Sequence, residues 1–179
     1  MTTQDRPELV LERAIQPDSK KHTVNDEVYV LHCHHYATLY TQLAEDARSI
    51  ADGPAILVEA TADTYRHIFD HYFADHDITD VGDRAAIVEQ LFAAGGLGQL
   101  SFTGVTPEGG AVTMEHSHLD EGWIKKWGKR SEPVNYITAG IIAGAFGSFY
   151  DVPNDSFVVE EVESIVAGAE NSRFTVRKA

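Results

Sequence analysis

A single cysteine, Cys33, stands in 179 residues, so an intramolecular disulfide and a cysteine-rich zinc module are both excluded. Positive charge is scarce as well: 14 Lys and Arg face 28 Asp and Glu, a formal net charge of −14. Such a surface repels phosphates and anionic headgroups, so neither nucleic acid nor a membrane is an expected partner. The plainest meaning of the charge is solubility. No apolar run is long enough to span a bilayer and no leader pattern opens the chain, which points to the cytoplasm. A phosphate-binding glycine loop is also missing. Gly95-Gly96-Leu97-Gly98 follows a helix and precedes a strand, the reverse of a dinucleotide fingerprint, and reads as a helix stop and turn. What remains is a chain of the right length for one domain with a substantial core.

Imidazole, by contrast, is concentrated. His32, His34 and His35 fall with Cys33 and Tyr36 in five residues. Val28, Leu31, His35, Leu39 and Leu43 recur at helical spacing, and His32, Tyr36, Leu39 and Leu43 form a second such series. The spacing predicts an amphipathic helix from about Asp26 to Ile50, with His32 and His35 on its inward face and Cys33 packed off that pair. Ala111 to His118 alternates as a strand, which puts Val112, Met114, His116 and His118 on one face, expected to be the buried one. Four inward imidazoles on a helix and a strand either hydrogen-bond in the core or converge on one divalent ion. Neutral imidazole suits zinc, iron, copper and nickel, and the ion expected here is iron or zinc, with copper as a further candidate. Metal binding by His32, His35, His116 and His118 is the expectation, with Glu115 or Glu160 as a further ligand or supporting base. Glu160 shares strand parity with Val158 and Val162, and a buried carboxylate there would need a cation or donors. His67 and His71 also have metal-compatible spacing, but Arg66, Asp70 and Asp75 mark their face as solvated.

In chain order, residues 1 to 24 form a polar N-terminal arm and residues 25 to 179 a single domain. Helices are expected near residues 54–76 and 82–93. A hairpin follows over about 99–118, turning at Pro107-Glu-Gly-Gly110. A short helix with Trp123 and Trp127 comes next, then an alanine- and glycine-rich helix from Val134 to Phe149. Gly140, Gly144 and Gly147 weaken that helix, so close backbone approach or a ligand must need the space. Two strands, about 156–165 and 172–177, close the chain. Helices first and an antiparallel sheet after them make an α+β fold.

The C-terminal 65 residues or so resemble the 4-vinyl reductase, or hydrocarbon-binding, domain family. The likeness runs through His116-Ser-His-Leu-Asp-Glu-Gly-Trp-Ile-Lys-Lys-Trp-Gly, Glu132-Pro-Val-Asn-Tyr-Ile-Thr-Ala-Gly-Ile-Ile-Ala-Gly and Val159-Glu-Glu-Val-Glu-Ser-Ile-Val-Ala-Gly-Ala-Glu-Asn-Ser-Arg-Phe-Thr-Val. It implies N-terminal helices packed on an antiparallel sheet, a small-molecule pocket and a homodimer. Many members hold zinc with an acidic residue and three cysteines. The matching positions here are Asn135, Ser164 and Ser172, with the acidic position near Glu115, so a thiolate site is gone.

Two main functions follow as expectations. One is a domain binding a small apolar or aromatic molecule, walled by Tyr36, Tyr40, Trp123 and Tyr136 and given room by Gly140 and Gly144, with the histidine metal site in or beside the pocket. The other is a metal-dependent, non-haem oxidoreductase acting on a small organic substrate. An assembly subunit whose dimer surface is the function ranks third.

Overall fold

The structure is a computed structural model and describes residues 6–31 and 33–179. Its first element is a three-stranded antiparallel sheet of β1 (Arg13–Ile15), β2 (His22–Val24) and β3 (Glu27–Tyr29), in that order. Asn25 and Asp26, with φ of 50° and 63°, make the two-residue link between β2 and β3. Positive φ at both central residues is what a tight hairpin turn requires, and Asn and Asp accept it more readily than other side chains. The expected long helix from Asp26 is therefore corrected. β3 takes Glu27–Tyr29, and α1 (His34–Asp46) begins only after Cys33, its exposed N-cap residue.

α2 (Gly53–Asp75) starts where Asp52 accepts the Ala55 N–H at 3.1 Å, with Pro54 in its first turn. α3 (Val81–Ala94) starts where Asp80 accepts the N–H groups of Gly82 and Asp83 at 2.8 and 3.1 Å. Each cap satisfies amides that a helix start leaves without partners. Then come β4 (Gly98–Thr106), β5 (Gly109–Ser117), α4 (His118–Trp127), α5 (Tyr136–Tyr150), β6 (Phe157–Glu163) and β7 (Ser172–Lys178). The last four strands form one antiparallel sheet in the order β4-β5-β7-β6. The fold is α+β, as the period changes along the chain predict.

α5 is the centre of the molecule. Every residue from Thr138 to Phe149 is buried. Ile141, Ile142, Ala145 and Phe146 join Val112, Met114, Phe174 and Val176 of the sheet, Phe69 and Phe73 of α2, and Ile87, Val88 and Phe92 of α3 in one core. The glycines let α2 lie directly on α5. A β-carbon at Gly140 would stand 2.5 Å from the Val58 carbonyl oxygen, and one at Gly144 would stand 2.5 Å from that of Ala62. Backbone approach, not a bound molecule, fills the space these two glycines leave.

Small residues set the inward face of α1 too. Ala37, Thr38, Thr41 and Ala44 are buried, whereas Tyr36, Leu39, Tyr40 and Leu43 are exposed, Leu43 by 54%. The expected inward stripe is thus the outward one. α1 packs so closely on α4 that a β-carbon at Gly122 would meet His34 Cδ2 at 2.8 Å, and large side chains are excluded from that seam. Among the described residues no helix is long and apolar enough to cross a membrane.

Candidate ligand cavity and buried carboxylate cluster

A cavity of about 440 Å³ lies between the N-terminal sheet and the end of α3. Leu11, Ile15, Val24 and Leu31 supply apolar wall from the N-terminal segment, and Leu91, Ala94 and Gly95 close it from α3. Arg13, His22 and Tyr29 line the same space with polar groups, as does Thr23. Register explains their meeting, because Ile15 pairs with His22, His22 with Tyr29 and Arg13 with Val24, and directly paired residues share a sheet face. Burial, and next the Glu27 carboxylate, raise the Tyr29 pKa, so its hydroxyl stays a neutral donor. Arg13 makes no ion pair among the described residues. Glu27 is instead engaged with α2, 3.5 Å from His67 Nε2 and 3.4 Å from His71 Nδ1, while His71 Nε2 lies 3.2 Å from Asp75.

A second polar site is buried where α4, α5, β6 and β7 meet. Asp120 is 1% exposed in the first turn of α4, where its N–H donates to Ser117 Oγ at 3.1 Å. Asn135 donates from Nδ2 to Ser117 Oγ and to Asp120 Oδ2, both at 3.2 Å, and its own carbonyl caps α5 at Thr138. Ser172 Oγ stands 3.3 Å from Asp120 Oδ2 and 2.9 Å from Glu161 Oε1, and it also accepts the Ile165 N–H at 3.0 Å. The backbone N–H of Asn135 donates to Glu161 Oε2 at 3.3 Å. Burial pushes Asp120 up to about 6, against the pull of its donors. Burial, and then the Asp120 charge, push Glu161 up to about 7.

The residues singled out in the sequence are dispersed around these two sites. His32 lies outside the described residues. His35 stacks against His34 with ring centroids 4.1 Å apart, and its pKa is lowered by desolvation and then by His34, Lys125 and Lys126. His116 and His118 border a surface cleft with Glu89 and Gln90. The expected burial of these two histidines is corrected by a β-bulge. Gln99 pairs with His116 but Leu100 with Met114, so Glu115 is an extra residue and the alternation slips by one. Met114 and Ser117 face inward, and Glu115 and His116 are exposed. His118 leaves the strand as the first residue of α4, and its Nδ1–H donates to the Gly96 carbonyl. Glu160 is exposed as well. Phe157, Val159 and Glu161 take the inward parity of β6, so the carboxylate that points in is the neighbouring Glu161. Among the described residues no three His, Cys, Asp or Glu side chains are grouped to hold a metal.

The expected aromatic walls are likewise spread out. Tyr36 and Tyr40 stack edge to face on the outside of α1 with centroids 5.6 Å apart. Trp123 is buried against Trp127, with the Arg130 guanidinium over its ring. Tyr136 donates to Glu45 Oε1 at 2.6 Å and accepts from Arg48 at 2.9 Å, a staple between α1 and α5. None of the four lines the 440 Å³ cavity. The N-terminal arm that does line it carries short strands with few sequence signals beyond the Asn-Asp turn.

A helix-covered antiparallel sheet with α5 sandwiched beneath α2 is a fold with solved counterparts. The phenol-responsive sensory domain of the transcription activator PoxR, solved with phenol, superposes with a TM-score of 0.77 at 10% identity, covering 93% of this chain and 84% of that one. A vinyl-4-reductase family protein from Methanocaldococcus jannaschii gives 0.55 at 15% identity, covering 87% and 86%. Trafficking protein particle complex subunit 3 from Naegleria fowleri, covalently bound to palmitic acid, gives 0.53 at 16% identity, covering 80% and 90%. In sequence, the chain matches no family profile and no curated protein. The sequence likeness to the 4-vinyl reductase family thus has its counterpart in fold. The zinc site that likeness implies does not fit: Asn135, Ser164 and Ser172 do gather at one point, but around the oxygens of Asp120 and Glu161 and with no thiolate.

Proposed function

We propose that this chain is a small-molecule-binding domain whose ligand occupies the cavity between β1–β3 and α3. The cavity carries the reading: about 440 Å³ of mostly apolar wall with a few convergent polar groups is the ordinary form of a site for a compact organic molecule. Arg13, His22 and Tyr29 suit one polar group on an aromatic or aliphatic body, a phenol or a short carboxylic acid. That two proteins of this fold were solved with phenol and with palmitic acid supports the choice. The oxidoreductase reading draws on imidazoles that the described residues do not bring to one point.

A ligand that binds only the folded chain stabilises it by about 2.7 kcal/mol at 100 times its Kd, or roughly 5–10 °C for a domain of this size. Thermal shift against phenols and short fatty acids is expected to find such a compound. Ala94→Trp, which fills the cavity, is expected to abolish the shift while keeping the fold. A series of compounds with no shift, or one undiminished by Ala94→Trp, would remove the proposal.

A homodimer belongs to the same reading. Tyr36, Leu39, Tyr40 and Leu43 put an apolar strip on the outside of α1, and a second copy would cover it. Sedimentation is expected to show a dimer that Leu43→Glu dissociates. A monomer at all concentrations would contradict it.

A further inference from the structure

We infer that the junction of α4, α5, β6 and β7 is a binding site for one hard divalent cation of the calcium, magnesium or manganese type, held by Asp120 and Glu161. This inference is independent of the ligand cavity. The two carboxylates stand one hydroxyl apart, since Ser172 Oγ contacts both at 3.3 and 2.9 Å. Asp120 Oδ1 is buried without a hydrogen-bond partner. Ser164 is 2% exposed, and its hydroxyl makes no hydrogen bond of normal geometry, although it lies close enough to Glu161 to favour the charged carboxylate. The remaining donors are Asn135 and the Ser117 and Ser172 hydroxyls, all neutral. No Lys, Arg or His among the described residues pairs with either acid, and the one further charge acting on Asp120 is that of Glu121, also negative.

Two carboxylates so close and so buried cannot both stay ionised without a positive partner. Asp120 Oδ1 and Ser164 Oγ, both buried without a hydrogen-bond partner, are the oxygens such a partner would satisfy. The donor set is two carboxylates and the hydroxyls of Ser164 and Ser172, since Ser117 Oγ already accepts the Asp120 N–H and an Asn135 amide proton. Asn135 is not part of it, because its carbonyl is committed to the α5 cap and its amide nitrogen points into the cluster. Oxygen donors of this kind suit cations that take six to eight hard ligands. Zinc, which prefers thiolate and imidazole, is poorly served.

The test uses the full chain stripped with chelator and titrated with Ca²⁺, Mg²⁺, Mn²⁺ or Zn²⁺. At least one of the first three is expected to bind one per chain and raise the melting temperature, with Zn²⁺ giving a smaller shift. Glu161→Gln and Asp120→Asn are expected to weaken binding at least tenfold while remaining folded, and Ser164→Ala to weaken it less. If a carboxamide variant fails to fold, the electron paramagnetic resonance of Mn²⁺ bound to the wild type decides: a stoichiometric, immobilised signal supports the site. No stoichiometric binding by any hard cation, or binding unchanged in Glu161→Gln, would overturn the inference.

Discussion

Glu161→Gln is expected to stabilise the cation-free protein at pH 8 by roughly 3 kcal/mol, because each unit of pKa shift is worth about 1.4 kcal/mol. The sign follows from the direction of the shift. Burial and then the Asp120 charge raise Glu161 from an ordinary value near 4.5 to about 7. Between those values the folded state holds more protons than the unfolded chain, so stability falls as pH rises. The contribution is fully present below about pH 4.5 and lost as pH climbs through 7. Asp120, raised from 3.8 to about 6 by burial, adds a loss in the same direction and an earlier window. Urea denaturation of wild type and Glu161→Gln at pH 5 and pH 8, both in chelator, checks this. The variant is expected to lose most of the pH dependence. Equal destabilisation of the variant at both pH values would show that the carboxylate is not strained. With a bound hard cation the sign at pH 8 reverses, since the variant then lacks a ligand.

Gly144→Ala should be a severe mutation although alanine is the better helix former by about 1 kcal/mol. The added methyl would lie 2.5 Å from the Ala62 carbonyl oxygen, a backbone atom in the middle of α2. α2 and α5 must then separate, and overpacking of this kind costs about 1–3 kcal/mol or more. Because the seam holds Gly140 as well, with Val58 O at 2.5 Å and Thr61 Cβ at 2.7 Å, it offers little slack. A net loss of about 2–3 kcal/mol is expected from the denaturation midpoint. A more stable Gly144→Ala would mean that the two helices do not touch there.

The periodic parts of the chain were legible in the sequence and the local exceptions were not. The hairpin of β4 and β5, the buried α5 and the closing pair β6 and β7 follow from runs long enough to show their period, and the glycines of α5 announced a close approach. The N-terminal sheet did not show, because three-residue strands carry no period and the turn is Asn-Asp, not the more telling Asn-Gly. Alternation placed His116 inward, and one inserted residue at Glu115 reversed it. On β6 the reasoning that an inward carboxylate needs donors holds, but it applies to Glu161; Val158-Val159-Glu160-Glu161 reads equally well on either parity. Asp120 escaped notice because an acid in the first turn of a helix has an ordinary explanation in the helix dipole. The resemblance, not the spacing, brought Asn135, Ser164 and Ser172 to one point.

Amide chemical shifts report directly where the ligand sits. In a titration of ¹⁵N-labelled protein with the best-stabilising phenol or carboxylic acid, saturable shifts are expected to concentrate in residues 11–15, 22–24, 29–31 and 91–95, which border the cavity. Saturable shifts centred instead on α1, α4 and α5, around Tyr36, Trp123 and Tyr136, would contradict the proposed cavity and return the ligand to the helices.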